Sequence, residues 1–465
     1  MLTAIILIFV VGYLAIALEH PLKVDKTASA LILGMVLWIA YAVGAEYLVP
    51  AGAGEHFSKY VAENPSLAGE SVAHQALSYL LNVDIIEHLG DITQTLFFLI
   101  GAMTIVELVD VHGGFRIITD RITTRKKRQL LWIISICTFF MSAILDNLTT
   151  TIVMIMLLRK LIEDQHERWL FAGSIVIAAN TGGAWSPIGD VTTIMLWVKG
   201  NVTAGALIGY VLLPSIVAMV VPLLIVTTKL KGNLPALEHH VEVDTTITRR
   251  ERNLIFYLGV GGLIFVPVFK TITHLPPFVG MLLVLGLLWA FTEVLYNKKM
   301  LAKAQEHRIP SVIARVDMPS ILFFLGILMA VAVLQATGIL ADLAKALDNS
   351  IHNPYIINTI LGVLSSIVDN VPLVAGVMGM YPVADPGAVG YAANFVIDGT
   401  FWELLSYCAG VGGSILIIGS AAGVIAMGLE KISFGWYLKR FSGLALLGYL
   451  AGVGVYLLEH IIMGR

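Results

Sequence analysis

Charged side chains are scarce in this sequence: 13% of its 465 residues are Asp, Glu, Lys or Arg, where soluble domains carry about 25%. A water-soluble globular domain is excluded on that ground. Cysteine is nearly absent. Cys137 and Cys408 both lie in apolar runs, so they read as free thiols in a core, and a disulfide scaffold or cysteine metal centre is not expected. No phosphate-binding loop, cluster of metal ligands or nucleophile–base pattern occurs. The Gly182-Gly183 and Gly412-Gly413 pairs stand in apolar helical context, which makes a poor nucleotide site. Enzymatic chemistry, a resident cofactor and a nucleic-acid partner are therefore not expected. The first apolar run has no basic leader, and no small-residue cleavage site precedes His20-Pro21-Leu22-Lys23, so a retained first span is expected rather than a signal or transit peptide.

What fills the sequence instead is apolar. Hydrophobic residues make up 57% of the chain and the mean hydropathy is +0.85. Runs of roughly 20 apolar residues, the length a helix needs to cross the hydrocarbon core, recur from end to end. The expected fold is an all-α polytopic membrane protein embedded in a lipid bilayer. Ten crossings are expected, at 2–18, 27–49, 92–112, 169–198, 203–228, 253–269, 278–296, 319–336, 401–428 and 441–459. The stretch 50–91 reads as an external loop ending in an amphipathic stretch.

Two further apolar stretches, 129–158 and 354–381, each carry an Asp-Asn pair near the middle. Each is either a single crossing or a re-entrant hairpin. Lys and Arg concentrate in cytoplasmic loops, and that rule decides. With two hairpins, segments 19–26, 113–128, 159–168, 229–252, 297–315 and 429–440 share one side and hold 24 of the 29 basic residues. Lys59, Lys199, Lys270, Lys345 and Arg465 remain outside. With two crossings the tally becomes 14 against 15, and no orientation signal survives. The hairpin reading is adopted, with both termini outside.

The two halves repeat. Leu96-Phe97-Phe98-Leu99 recurs as Leu322-Phe323-Phe324-Leu325. Ser142-Ala143-Ile144-Leu145-Asp146-Asn147 recurs as Ser365-Ser366-Ile367-Val368-Asp369-Asn370. Gly182-Gly183 with Ile188-Gly189 recurs as Gly412-Gly413 with Ile418-Gly419. The order is conserved between halves and the offsets are 226, 223 and 230. One hairpin opens on the basic side between Arg128 and Arg159, the other on the opposite side between Asn353 and Tyr381. The copies are thus inverted, as expected of an alternating-access carrier. The expected organisation is N-terminal spans and external loop at 1–91, a first repeat core at 92–228, connecting spans at 229–318 and a second repeat core at 319–465. Each core holds a re-entrant hairpin and a broken transmembrane helix.

An Asp within the bilayer costs a few kcal/mol on insertion scales and must face a partner or a water-filled cavity. Asp146 and Asp369 fall at hairpin tips, where unwound carbonyls and half-helix ends can coordinate a cation. Asn147 and Asn370 add amide oxygens, and Ser142, Thr149, Thr150 and Ser365 add hydroxyls. Sodium is expected at Asp146, Asn147, Asp369 and Asn370. Pro372 is expected to interrupt helix past the second tip. A second constellation runs from Asn180 to Thr193, with Asp190, Thr192 and Thr193 behind a Gly-Gly and Pro break. Its mate, Gly412 to Ser420, offers Ser414 and Ser420 but no acid. For each of these the plain alternative is interhelical packing. Duplication of a buried acid at equivalent positions argues against that for Asp146 and Asp369. A buried carboxylate that binds a cation and takes a proton when the cation leaves gives exchange. Glu107 and Asp110, beside His112, read first as interfacial acids, with proton access or pH sensing as the alternative. His112, His274 and His352 read as solvated interfacial histidines, and Asp398 and Glu403 as facing water.

On these residues the chain resembles the NhaD-type sodium/proton antiporters of the ion transporter superfamily. The resemblance is carried by Ser142-x-x-x-Asp146-Asn147-Leu148-Thr149, the Asn180–Thr193 segment and Ser365-x-x-x-Asp369-Asn370-Val371-Pro372. It implies two inverted repeats, a homodimer with elevator-like transport domains, sodium with lithium as a second cargo, and a bacterial inner membrane. It also implies importance for the positions matching Asp146, Asn147, Asn180, Asp190, Thr192, Thr193, Ser365, Asp369 and Asn370. The nearest rival is an arsenite or dicarboxylate carrier of the same architecture; a channel or membrane-embedded enzyme is the rival from another class. Anion sites favour helix N-termini and hydroxyls with few fixed carboxylates, so three buried acids favour the cation.

Overall fold

The computed structural model describes residues 1–17, 19–67, 69–119, 122, 124–234, 248–297, 309–367 and 369–463. Leu18 at the end of the first expected span, Val368 beside the second acid, and Arg121, Lys298, Lys299, Lys303, Arg308 and Arg465 of the charge tally lie outside the described residues.

The described chain is helical, with no β-strand. In order the main helices are α1 (Leu2–Ala17), α2 (Lys26–Val43), α3 (Ala45–Glu63), α4 (Val72–Val111) and α5 (Lys127–Leu145). They continue as α6 (Asn147–Leu161), α7 (Gln165–Ala184), α8 (Val191–Lys199), α9 (Ala204–Lys229) and α10 (Arg249–Thr273). Then come α11 (Pro277–Asn297), α12 (Met318–Ala336), α13 (Ile339–Ile351), α14 (Pro354–Leu364) and α15 (Asn370–Met380). The last are α16 (Thr400–Gly412), α17 (Ala421–Glu430) and α18 (Phe434–Met463).

Among the described residues, eight helices are long and apolar enough to cross a membrane: α2, α4, α5, α9, α10, α11, α12 and α18. Seven coincide with expected spans, and the eighth, α5, is the first arm of the expected 129–158 hairpin. The expected spans 169–198 and 401–428 are each two helices. The first break falls at Trp185–Asp190, because α7 stays helical through Gly182 and Gly183 as far as Ala184. Residues 50–91, expected as a loop, are largely helical: Gly54 (φ 46°) bends α3 without ending it, and α4 begins at Val72. Pro372 does not interrupt a helix either. It sits in the first turn of α15, where its missing N–H has no intrahelical partner to lose.

The described chain forms two compact units. The first comprises Met1–Phe97, Asp317–Asn353 and Val371–Val383, and the second comprises Phe98–Val316, Pro354–Asn370 and Ala384–Arg465. In the first unit, α2 and α12 pack backbone against backbone. A Cβ on Gly34 would lie 2.5 Å from Gly326 O, and one on Gly326 would lie 2.6 Å from the Ala30 carbonyl carbon. Small residues permit such an approach where lipid offers no hydrophobic drive between helices. Trp38 Nε1 donates to Met329 O at 3.0 Å and Lys26 Nζ lies 4.7 Å from the Phe323 ring centre, fixing the same pair along its length. Tyr41 OH donates to Asp84 Oδ2 at 2.6 Å, which partners the one carboxylate buried in this unit among its described residues.

In the second unit two largely apolar helices run through the centre, with Asn180 on one and Glu403 on the other as buried polar exceptions. Every residue of α7 from Phe171 to Ala184 is buried, as is every residue of α16 from Phe401 to Gly412. An all-round apolar helix belongs in a core. Tyr407, on α16, donates to Tyr449 O at 2.8 Å, and Tyr449 donates to Thr359 O at 2.9 Å, so α18, α16 and α14 are tied by phenols whose polar ends find carbonyls.

Gly326→Leu should therefore lower stability by about 1–3 kcal/mol, the range for overpacking a close contact. Thermal unfolding in detergent should show it, whereas Gly286→Leu, where a Cβ meets open space, should leave the transition near that of the parent.

Candidate functional site

The site grows out of helix breaks. α5 ends at Leu145 and α6 starts at Asn147, so one residue, Asp146, makes the joint, with φ 78° and ψ 160°. A non-glycine residue there costs of order 1–3 kcal/mol and persists only where its surroundings demand it. The Asp146 carboxylate meets part of that cost by capping α6: Oδ1 accepts from Thr149 N at 2.7 Å and Oδ2 from Thr149 Oγ1 at 3.0 Å.

Asp190 ends the second break in extended backbone and caps α8. Its Oδ1 accepts from Thr192 N and Thr192 Oγ1, both at 2.9 Å, and Thr193 Oγ1 closes the box on the Asp190 backbone. Its Oδ2 accepts from Asn147 Nδ2 at 2.6 Å. Asn370 Nδ2 stands 3.4 Å from both carboxylate oxygens, a long contact. The Asn of each Asp-Asn pair thus reaches the same acid. Asp190 is 1% exposed, Asn147 5% and Asn370 4%, while Asp146 and Asp369 are half-buried. Asp190 lies within Coulombic reach of both Asp146 and Asp369.

Asn180 is the connector. Its Oδ1 accepts from Asn147 Nδ2 at 3.1 Å, and its Nδ2 donates to Ser414 Oγ at 2.9 Å and Ser420 Oγ at 2.8 Å. Ser420 in turn caps α17 by accepting from Gly423 N at 3.2 Å. So the structure brings together Asn147, Asn180, Asp190, Thr192, Thr193, Asn370, Ser414 and Ser420, with Asp146 and Thr149 beside them. Ser142 and Ser365 spend their protons elsewhere: Ser142 Oγ donates to Ala179 O at 2.6 Å and Ser365 Oγ to Ala409 O at 2.8 Å. Thr150 Oγ1 is buried without a hydrogen-bond partner. Glu107 is half-buried on α4, with Asp110 and Arg315 as its charged neighbours.

Chemically, this is a dense set of hard oxygen donors around one dry carboxylate, Asp190, with the half-buried Asp146 and Asp369 near it. Hydroxyls that donate their proton keep lone pairs for a cation, and amide oxygens carry several. Hard cations take such oxygens.

Several contributors escape sequence reasoning. Tyr437 OH donates to Ser414 O and Ser406 Oγ to Ala184 O, both at 2.8 Å, bracing the two breaks from outside. Glu430, wholly buried at the end of α17, is held by Arg159 at 2.7 Å and Arg168 at 2.8 Å. No local charge signal marks it, since 159–168 holds three basic and three acidic side chains. Glu403 corrects an expectation. It does not face water but is fully buried, accepting from Tyr456 OH at 2.9 Å, because α16 enters the core at its first turn. Asp398 is half-buried and accepts from Thr203 N and Oγ1. His112, read as solvated, is 1% exposed with Nδ1 2.6 Å from Leu108 O. His274 and His352 each end a helix in left-handed backbone.

Broken, apolar helices whose buried ends carry carboxylates and amides define a polytopic membrane carrier. The family model described as "Citrate transporter" matches residues 4–397. Sodium/proton antiporter 2 of Arabidopsis thaliana is 40% identical over 98% of this chain and 99% of its own length, and sodium/proton antiporter 1 of the same plant is 41% identical over 98% and 72%. The Na⁺/H⁺ antiporter NhaD of Vibrio cholerae is 30% identical over 98% of this chain and 91% of its own. The chain belongs to the family of NhaD-type sodium/proton antiporters, within the wider group that the citrate-transporter model describes.

Asn180→Leu should leave Ser414, Ser420 and Asn147 short of partners in a dry place. The expected cost is about 1–3 kcal/mol for each polar group stranded, read as a lowered thermal midpoint. Thr149→Ala, which keeps the capped N–H and loses only the hydroxyl bond to Asp146 Oδ2, should cost about 1 kcal/mol.

Proposed function

We propose that this protein exchanges sodium for protons across a membrane by alternating access, with lithium as a second cargo. The observation that carries the reading is Asp190: a carboxylate 1% exposed, approached by the amides of Asn147 and Asn370, with two more carboxylates in Coulombic reach. Several like charges in a dry site cannot all stay uncompensated; they must share a cation or take protons. Sodium and protons are then rivals for the same oxygens, and a carrier that opens to one side at a time couples their flows. Asp146, Asn147, Asp369 and Asn370 are the proposed sodium ligands. Asp190, Thr192, Thr193 and Asn180 shape the centre, and Ser142 and Ser365 position the two Asp-Asn joints against α7 and α16. The names of the relatives support the same cargo. A citrate-like anion is the competing reading suggested by the family model, but three carboxylates would repel it.

Inverted repeats with re-entrant hairpins at 129–158 and 354–381 are part of the proposal. Matched contacts support them. Ser142 and Ser365 bond the same way to Ala179 and Ala409, and a Cβ on Gly182 would collide with Phe139 O just as one on Gly412 would with Gly362 O. The partition of the domains at 92–228 and 319–465 rests on the same repeat. We further propose a homodimer in the cytoplasmic membrane of a bacterium, serving sodium and pH homeostasis; the bias of basic residues to one side supports the orientation.

Asp146→Asn, Asp190→Asn and Asp369→Asn should each lower sodium-driven dissipation of a pH gradient in everted vesicles by about tenfold or more, since each removes a charge interaction worth several kcal/mol. Normal exchange by Asp190→Asn would sink the reading. Competition also sets a pH dependence. Protons occupy the site as pH falls, so the apparent KM for sodium should rise toward acid, approaching about tenfold per pH unit for one competing proton. A KM indifferent to pH would separate sodium binding from proton binding.

A further inference from the structure

A groove of about 240 Å³ lies on the second unit where α7, α9 and α18 meet, well away in sequence from the carboxylates. Its wall carries three basic side chains from three helices: His166 of α7, Lys229 of α9 and Arg440 of α18, all exposed. Its floor is aromatic and apolar, with Trp436, Phe441 and Leu444. Trp436 lies 5.6 Å from Phe441 and 5.2 Å from Trp169, which itself meets His166 at 4.7 Å, so the rings form one packed row.

Among the described residues no ion pair engages His166, Lys229 or Arg440. Three nearby acids have other partners: Glu167 pairs with Lys127 at 2.5 Å, Glu430 with Arg159 and Arg168, and Asp164 caps the N-terminus of α7. All three side chains fall in the segments 159–168, 229–252 and 429–440, which the charge bias assigns to the cytoplasmic side. Below the groove, α9 and α18 pack closely at Gly448 and Pro222, and beside that seam Leu224 and Leu447 are half exposed. An anionic head would meet the cations while apolar tails follow the seam.

We propose that this groove binds an anionic phospholipid, with its phosphate held by Lys229, Arg440 and His166 and its glycerol end resting on Trp436. Basic pockets between helices at the cytoplasmic face take such headgroups, and Arg matches phosphate with paired donors. Trp at the interface suits a group that is apolar on one side and wet on the other.

The test uses the full chain in detergent and reads tryptophan quenching by phosphatidylglycerol brominated on its acyl chains. A saturable component should appear that Trp436→Phe lacks and that brominated phosphatidylcholine does not produce. Lys229→Gln with Arg440→Gln should weaken it about thirty-fold, and Arg440→Gln alone about five-fold. Equal quenching by phosphatidylcholine, or unchanged affinity in both variants with normal thermal unfolding, would overturn the proposal. Displacement of the lipid by millimolar inorganic phosphate would overturn it too, by assigning the groove to a free ion.

Discussion

A helix that stops inside an apolar slab leaves backbone N–H groups with no water to take them, and much of this molecule is organised around that constraint. Three such ends are met by side chains from the break itself: Asp146 on Thr149 N, Asp190 on Thr192 N and Ser420 on Gly423 N. The groups that make the breaks tolerable are also the groups rich in oxygen. Structural necessity and the oxygen donors that a cation would need therefore fall on the same few residues. The positive φ of Asp146 belongs to this account, since a one-residue joint between two long helices leaves the backbone little other choice.

Asparagine does what carboxylates cannot, because its amide offers donors and acceptors together. Asn147 gives its protons to both Asn180 and Asp190, and Asn180 passes the connection to Ser414 and Ser420. The halves are related but unequal. The place held by Asp190 before α8 is held by Ser420 before α17, so one acid serves the Asn residues of both copies. An exact duplicate would put a second carboxylate in the dry volume that Asp190 occupies.

The basic segments divide their labour. Arg159 and Arg168 compensate a buried acid, Glu430, at the far ends of α6 and α17, both of which begin among the site residues. The pair is tied at both ends, through Glu430 at one and at the other through Asn180, which meets Asn147 and Ser420. Lys229 and Arg440 carry no such duty among the described residues and face a groove instead.

Much of this was legible from residue order. The apolar runs predicted seven of the eight helices of crossing length, and the Asp146-Asn147 pair and Gly412-Gly413 predicted two of the breaks, while the break expected at Gly182-Gly183 falls just past Ala184. Length and hydropathy are local properties, and they determine insertion into lipid residue by residue. Local signals misled where a partner lay far along the chain. Glu403 looks solvated until Tyr456, 53 residues on, is seen to hold it in the core. Gly52, Gly54 and Pro65 look like loop formers until α3 is seen to bend through Gly54.

By itself, then, the sequence determined that the chain is a bundle of membrane helices with acids at its interruptions, because apolar length and the cost of burying charge depend on composition and spacing alone. Tertiary structure decided which oxygens meet: that Asn147 and Asn370 converge on Asp190, that Asn180 reaches Ser414 and Ser420 more than 230 residues away, and that Ser142 and Ser365 bond to neighbouring helices. Hydrogen bonds are set by distance and angle within a few tenths of an ångström, and only the packed helices fix those.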